Sequence, residues 1–402
     1  MREGTVADYI GLRIARWRTT AGLTQQQLAD RVGVSGAYIA MIEGGKRAVT
    51  KRSLIIALAT ALGVRVEDLT AQPRTPRDSS ELAVYSAAPG IRRALDEDPD
   101  GPPPDVDDVA RRAEEVVRAR MACDYVAYAA MLPGLVADTR HLASAPRTER
   151  QGLALFVRVA FAGAVGLKSL GHVDLSMRLA ERAQLAAGML GEPDEIAAAD
   201  FATAQVALTG GSQRRSLTLA TVAAEQVGDT ATGDLAAWYG LLHLHAAISA
   251  AGLGRGGDAA THYAEAEGAL RRADGPDRWR MEFSAANAAT WRVAIALENG
   301  EPERAPEYAR RVDRTALRAP QRRARLHIDA GRGHYLAGDT ERAVRQFLAA
   351  DDISAQELRS RSQVREITGQ MVRDARRRGS DELRDLAVRL GIDPLDPDLT
   401  GC

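Results

Sequence analysis

Thr24-Gln-Gln-Gln-Leu-Ala-Asp-Arg-Val-Gly-Val-Ser-Gly-Ala-Tyr-Ile-Ala-Met-Ile-Glu43 decides how the start of this chain folds. Thr24 is a good N-cap for a short helix carrying Leu28, Ala29 and Val32 on one face. Gly33 follows, a residue that turns with positive φ at no steric cost. Ser35 then caps a second helix whose inward residues are Ile39 and Ile42. Apolar side chains at 28, 32, 34, 39 and 42, with a small one at 29 where the helices cross, predict a helix-turn-helix. That motif places its second helix in the major groove of DNA.

The flanks extend the reading. Ile10, Ile14 and Trp17 recur at helical spacing upstream, and Leu54, Ile55, Leu58, Ala59 and Leu62 do so downstream, stopped by Gly63. A short turn over Val66-Glu-Asp-Leu69 completes about five helices in the first 70 residues. On Gly22-Leu23-Thr24-Gln25, Leu28-Ala29, Gly33-Val34-Ser35, Ile39, Ile42 to Arg47 and Ala61 to Val64, the segment resembles the phage-repressor, xenobiotic-response-element family of helix-turn-helix transcriptional regulators.

That resemblance implies where DNA is read. The base-reading positions fall on Gly36, Ala37 and Met41, where well-known members carry glutamines. Glutamine holds adenine bidentately, whereas Ala and Met at most touch a thymine methyl. More weight then falls on Tyr38, on phosphate contacts and on DNA shape. Gln25, at the first helical position, suits a phosphate, because backbone N–H groups converge there. Lys46, Arg47, Lys51 and Arg52 are the expected phosphate clamps. Arg18 and Glu43 fall where the family has a salt bridge between the first helix and the end of the recognition helix.

Charge agrees with a local DNA role. Residues 1–70 hold ten Arg or Lys against six Asp or Glu, while the whole chain of 402 residues has a net charge of −1. Cys123 and Cys402 are far apart and fit no metal or disulfide spacing. The N-terminus offers no apolar run for a signal peptide, and the most apolar stretch, Leu153 to Leu170, is broken by Arg158 and Lys168. Both features predict a cytoplasmic protein with no membrane span.

Length predicts further domains. Residues 71–105 read as a proline-rich, acidic linker in which Glu81 to Leu95 could form a short helix. Beyond it a pattern repeats: a glycine, then small residues at +5 and mostly at +12. The sets begin at Gly171, Gly211, Gly254, Gly300 and Gly338, with steps of 40, 43, 46 and 38 residues. Each glycine sits between a long apolar helix and a shorter one, so each unit is a helical hairpin that buries its face on its neighbours. The expected architecture is all-α: a helix-turn-helix domain over 1–70, a repeat superhelix over 106–353 and a helical cap over 354–402.

The last repeat, through Gly331, Gly338-Asp339, Ala343, Phe347 and Ala350, resembles the tetratricopeptide consensus. The whole arrangement resembles actinobacterial regulators of the xenobiotic-response-element class. It is more loosely similar to peptide-sensing quorum regulators of other Gram-positive bacteria, in which the superhelix binds an effector and dimerises. The resemblance thus implies a homodimer on a double-stranded operator and a peptide or small-molecule effector. If the first helix of each repeat lines the groove, Arg158, Phe161, Gln205, His245, Arg280, Phe283, Asn287, Arg325 and Arg332 face the effector. Arg280, Phe283, Asn287 and Thr290 have the spacing of a single helical face.

No catalytic constellation stands out, and no metal or cofactor is expected. His243 and His245 are two apart and point to different sides of a helix, a poor metal pair. Gly252-Leu-Gly-Arg-Gly-Gly257 lies between helices rather than after a strand, which predicts a loop and not a nucleotide cradle. Two functions remain open: a regulator that couples effector binding to operator binding, and an interaction scaffold that grips a protein partner with the helix-turn-helix as DNA anchor.

Overall fold

The computed structural model describes residues 9–375 and 379–393; Cys402 lies outside them. Among the described residues every regular element is a helix, as the periodicity predicts. The chain divides into two compact units. One comprises the described residues within Met1–Ala71, Arg292–Val312 and Arg323–Cys402, the other those within Gln72–Trp291 and Asp313–Arg322.

The first unit begins with α1 (Ile10–Thr20), α2 (Gln25–Val32), α3 (Gly36–Glu43), α4 (Arg52–Leu62) and α5 (Val66–Thr70). Thr24 caps α2 in a full capping box: its hydroxyl accepts from the Gln27 N–H, and the Gln27 side chain accepts from the Thr24 N–H. Gly33 ends α2 in the left-handed region at φ 72°, and Ser35 caps α3. Ile10, Ile14, Leu28, Ala29, Ile39, Ile42 and Leu58 fill one core with essentially no exposure. At Gly11 a side-chain carbon would lie 2.0 Å from the Ile42 carbonyl oxygen, so only glycine lets α1 cross α3 this closely.

The same unit contains part of α15 (Ala285–Asn299), then α16 (Arg304–Arg311), most of α17 (Pro320–Leu336), α18 (Thr340–Ile353), α19 (Ala355–Arg359), α20 (Ser362–Ala375) and α21 (Asp381–Arg389). A second core of Ile328, Phe347, Leu358, Val364, Ile367, Leu386 and Leu390 holds the C-terminal helices together. The N-terminal helices are tied to them by polar bonds. The Ile10 N–H, free at the start of α1, donates to the Glu366 carboxylate at 3.1 Å, and Arg13 pairs with the same carboxylate at 3.5 Å. Burial raises the Glu366 carboxyl, against the pull of Arg13. Arg373 stacks on the Tyr9 ring and donates to the Gly45 carbonyl. The N-terminal helices and the C-terminal helices thus pack together within this unit.

The second unit contains α6 (Ser79–Asp96), α7 (Val106–Met121), α8 (Tyr125–Ser144), α9 (Glu149–Ser169), α10 (Val173–Leu190), α11 (Pro193–Thr209), α12 (Gln213–Val227), α13 (Gly233–Gly252) and α14 (Gly256–Ala269). Helices α7, α9, α11 and α13 touch in succession and form one row; α10 and α12 each bridge two members of that row. The stretch read as a linker contributes more than a short helix. Asp78 caps α6, and Val84, Ala87, Ala88, Ile91 and Leu95 join the core of this unit against α8. The acidic, proline-rich composition around it hid an apolar face.

The repeat glycines behave as their spacing predicts. Gly171, Gly211, Gly254, Gly300 and Gly338 all have φ between 74° and 93°, each between a long helix and the next. The small residues after them, among them Ser176, Ala180, Ala183, Ser216, Ala220, Ala259, Ala266, Ala305 and Ala343, have no exposure, which brings helix axes close. Helix α9 is the one described helix long and apolar enough to cross a membrane, and 72% of its apolar window is buried inside the protein.

Candidate nucleic-acid interface and effector layer

The recognition surface starts from an ion pair. Arg18 donates to both oxygens of Glu43, at 2.6 and 3.0 Å, and to the Leu23 carbonyl at 2.7 Å. With only 16% and 6% of the side chains exposed, this fork fixes α1 against the end of α3. Hydrogen bonding to Glu43 raises the Arg18 guanidinium further. Gln25 also donates to Glu43, at 2.7 Å. Its amide is thus engaged in the brace, whereas the sequence reading had assigned it to a phosphate.

Around this brace the exposed face of α3 carries Ala37, Ala40 and Met41, with Gly36 and Tyr38 half-buried beside them. Lys46 and Arg47 are exposed just beyond the helix, and the Arg47 guanidinium lies 5.6 Å from the centre of the Tyr38 ring. Stacking holds that charge beside α3. The exposed Gln26 was overlooked in the sequence: a side-chain carbon at Gly36 would lie 2.4 Å from its Oε1. The Gln26 amide, donating to Asp30 at 2.7 Å, therefore overlies the start of α3. The signal available in the sequence was the Gln25-Gln26-Gln27 run, in which only one member can turn toward solvent and α3 together.

Lys51 and Arg52 separate from the other two clamps. The Lys51 ammonium lies against Gly300, where a side-chain carbon would meet Nζ at 2.6 Å. Arg52 is lowered to about 10 by burial, with Glu298 as the opposing charge that raises it and Arg325, Arg361 and Arg332 as like charges. Both are half-buried toward the C-terminal helices. Nothing in the local sequence revealed this, because the carboxylate involved is far along the chain.

The nine residues read as an effector groove are divided between the two units. Arg325 and Arg332 belong to the first unit, the other seven to the second. Arg325 pairs with the buried Asp329 at 2.6 Å. Arg332, 5% exposed, donates to Asp329 at 2.9 Å and to the Thr50 carbonyl at 3.1 Å, and approaches Glu298 at 3.5 Å. Arg325 and Arg332 hold Asp329 below the usual carboxylate range in spite of burial. Through the Thr50 carbonyl, Arg332 fastens the segment before α4 to α17.

In the second unit, His245 is buried and its Nε2 lies 2.9 Å from the Ser216 hydroxyl. Gln205 is half-buried on α11. The single helical face expected for Arg280, Phe283, Asn287 and Thr290 is not formed, because α15 starts at Ala285. Turn chemistry overrides the periodicity: the Asp277 carboxylate takes the N–H groups of Met281 and Glu282 at 2.7 and 3.0 Å. Asn287 is fully buried, and its amide donates to the Met281 and Glu282 carbonyls. Phe283 packs its ring where Gly240 has no side chain; a carbon there would lie 2.0 Å from the ring.

What does assemble is a ring cluster on the row α9, α11 and α13. Phe161, Trp238 and Trp279 meet edge to face, with centroids 5.3 to 5.7 Å apart, and Phe201 lies 5.5 Å from Trp238. Asp194 accepts both indole N–H groups, from Trp238 at 2.7 Å and Trp279 at 2.8 Å. The Arg158 guanidinium lies 5.7 Å from the centre of the Trp279 ring, pairs with Glu114 and donates to the Arg278 carbonyl at 2.6 Å. Burial lowers the Arg158 guanidinium, and Glu114 opposes that. Among the described residues no group of three or more His, Cys, Asp or Glu is placed to hold a metal ion.

Comparison with known proteins bears on the N-terminal helices. Residues 10–72 match the family described as "Helix-turn-helix domain". No curated protein matches the chain. Among solved structures, "Crystal Structure of Bacillus thuringiensis PlcR in complex with the peptide PapR7 and DNA" aligns over 89% of this chain and 99% of that one, at 13% identity and a TM-score of 0.30. Capping box, left-handed Gly33, the Arg18–Glu43 brace and the family match agree on one conclusion: residues 10–72 are a helix-turn-helix domain.

Proposed function

We propose that this protein is a cytoplasmic DNA-binding transcription regulator that grips a double-stranded operator as a homodimer and answers to an effector held by its helical repeats. The observation that carries the DNA-binding part is the exposed face of α3, Ala37 and Met41, flanked by the exposed cations Lys46 and Arg47. Small and apolar side chains there favour contact with thymine methyls and reading of groove shape. Lys46 and Arg47, with Gln26 over the start of α3, supply the contacts to phosphate.

Selection of bound fragments from genomic DNA by the full chain, with and without culture extract, tests the reading. The expected product is a pair of half-sites about one helical turn apart, with affinity falling steeply as salt rises. Binding indifferent to salt and sequence would sink it. A scaffold role draws support from a different observation: Leu185 and Met189, one helical turn apart on α10, are 65% and 67% exposed. Under that reading, Leu185→Ser with Met189→Ser removes a stoichiometric protein partner and leaves operator binding unchanged.

A further inference from the structure

Residues 271–284, between α14 and α15, cross the row of helices as a strap fixed at both ends. At the start, Arg272 donates to the Ala231 carbonyl and lies against the Tyr239 ring. At the end, Asn287 and Arg322 hold the Met281 and Glu282 carbonyls. Between these anchors the strap is mostly exposed, and only Trp279 and Met281 are buried. It follows a strained path: Asp277, Arg280 and Glu282, none of them glycine, have φ of 50°, 50° and 51°.

Trp279 is received the way a ligand is received. Its ring lies against Phe161 and Trp238, its N–H reaches Asp194, and the carbonyl before it reaches Arg158. The receiving side chains come from α9, α11 and α13, while the group received comes from a loop. Arg158 also has a buried Nε with no hydrogen-bond partner. A guest that supplied an acyl oxygen and an indole N–H without the strap's backbone strain would satisfy the same groups.

We propose that Phe161, Phe201, Trp238, Asp194 and Arg158 form the effector seat, that Trp279 is its built-in occupant, and that the effector is a peptide presenting an acyl-tryptophan unit that displaces the strap. This rests on the reading of the repeats as a sensor, and it deepens that reading by naming the ligand chemistry. The effector shifts the strap only through its difference in affinity for the open and closed seat. Closure by Trp279 lowers apparent affinity by the fraction of time the seat is open.

The test uses the full chain without DNA, so that failure of operator binding and failure of the seat are read separately. Trp279→Ala is titrated by calorimetry with N-acetyltryptophanamide, with tryptamine, which keeps the indole and lacks the acyl oxygen, and with a heptapeptide containing one central tryptophan. The expected result is at least tenfold tighter binding of N-acetyltryptophanamide than by the unaltered protein, lost again when Asp194→Asn is added. Tryptamine should gain less. The heptapeptide should bind at least as tightly as the amide; binding of the amide but not the heptapeptide overturns the peptide assignment. Equal binding by the variant and the unaltered protein overturns the seat. Should Trp279→Ala not fold, tryptic cleavage of the unaltered protein after Arg278 and Arg280, whose side chains are 55% and 51% exposed, decides. Millimolar N-acetyltryptophanamide should speed those cuts relative to N-acetylalaninamide, and unchanged cutting overturns the proposal.

Discussion

Lys46 and Arg47 stand open beside α3, whereas Arg332 and Asn287, expected to face an effector, are buried in hydrogen bonds that hold the fold together. The first pair follows the end of α3, where the family resemblance implies phosphate contacts; the second lies at helical spacing along the repeats. The difference lies in how far along the chain their neighbours come from. The face of α3 is built from about twenty consecutive residues, so its exposure follows from local periodicity. Arg332 takes the Thr50 carbonyl and Arg158 the Arg278 carbonyl, so segments distant in the chain decide whether a cation is exposed or engaged.

The largest effect separating the two kinds of cation belongs to Arg332. Arg332→Ala leaves the buried Asp329 with only Arg325 and takes the guanidinium away from the buried Glu298, and should cost about 3 kcal/mol of unfolding free energy. Chemical denaturation measures it; a loss under about 1 kcal/mol would put Arg332 with the exposed cations.

Next in size is the brace beneath α3. Arg18→Ala and Glu43→Ala should be coupled by about 2 kcal/mol in a double-mutant cycle, because the fork is largely sheltered from water. Additive losses would mean that the pair does not position the recognition helix.

A sharper form of the comparison sets Arg47 against Arg52. Lys46→Ala and Arg47→Ala should each reduce the slope of log affinity against log salt by about 0.9, as expected for one lost phosphate contact. Arg52→Ala should leave that slope unchanged and lower stability instead, since its guanidinium is engaged near Glu298. A reduced slope for Arg52→Ala would return it to the DNA surface.

The smallest expected effect is a pH dependence within the repeats. His243 and His262 face each other with Nδ1 atoms 2.9 Å apart, a geometry that requires at least one neutral ring. Burial, then the charge of His262, holds His243 down to about 4 from its ordinary 6.5. The folded state binds its proton less readily than the unfolded chain. The stability this contributes is therefore complete above about pH 6.5 and is lost as pH falls toward about 4. Melting temperature against pH should show that decline, and His243→Gln should flatten it.

Much of the molecule was legible in residues alone. Thr24, Gly33 and Ser35 announced the helix-turn-helix and five spaced glycines the hairpin rhythm, while the Arg18–Glu43 brace followed from the family resemblance. Each of these signals is local, or joins segments already close through a short motif. The face assigned to Arg280 and Phe283 failed because side-chain acceptance at Asp277 made a turn where periodicity suggested a helix. In the 71–105 segment the helix expected over Glu81 to Leu95 is present as α6, while the surrounding composition concealed its apolar face.

The sequence by itself determined the helices of the first 70 residues and the caps of α2 and α3, because i to i+4 spacing and capping hydrogen bonds act within a few residues. Only the tertiary structure decided that Lys51 and Arg52 turn inward, that Glu366 receives the first helix, and that Trp279 fills the ring cluster under Arg158. Those outcomes depend on desolvation and on partners tens to hundreds of residues away. A buried charge or amide takes whichever counter-group the packing delivers, and no spacing along the chain encodes which one that is.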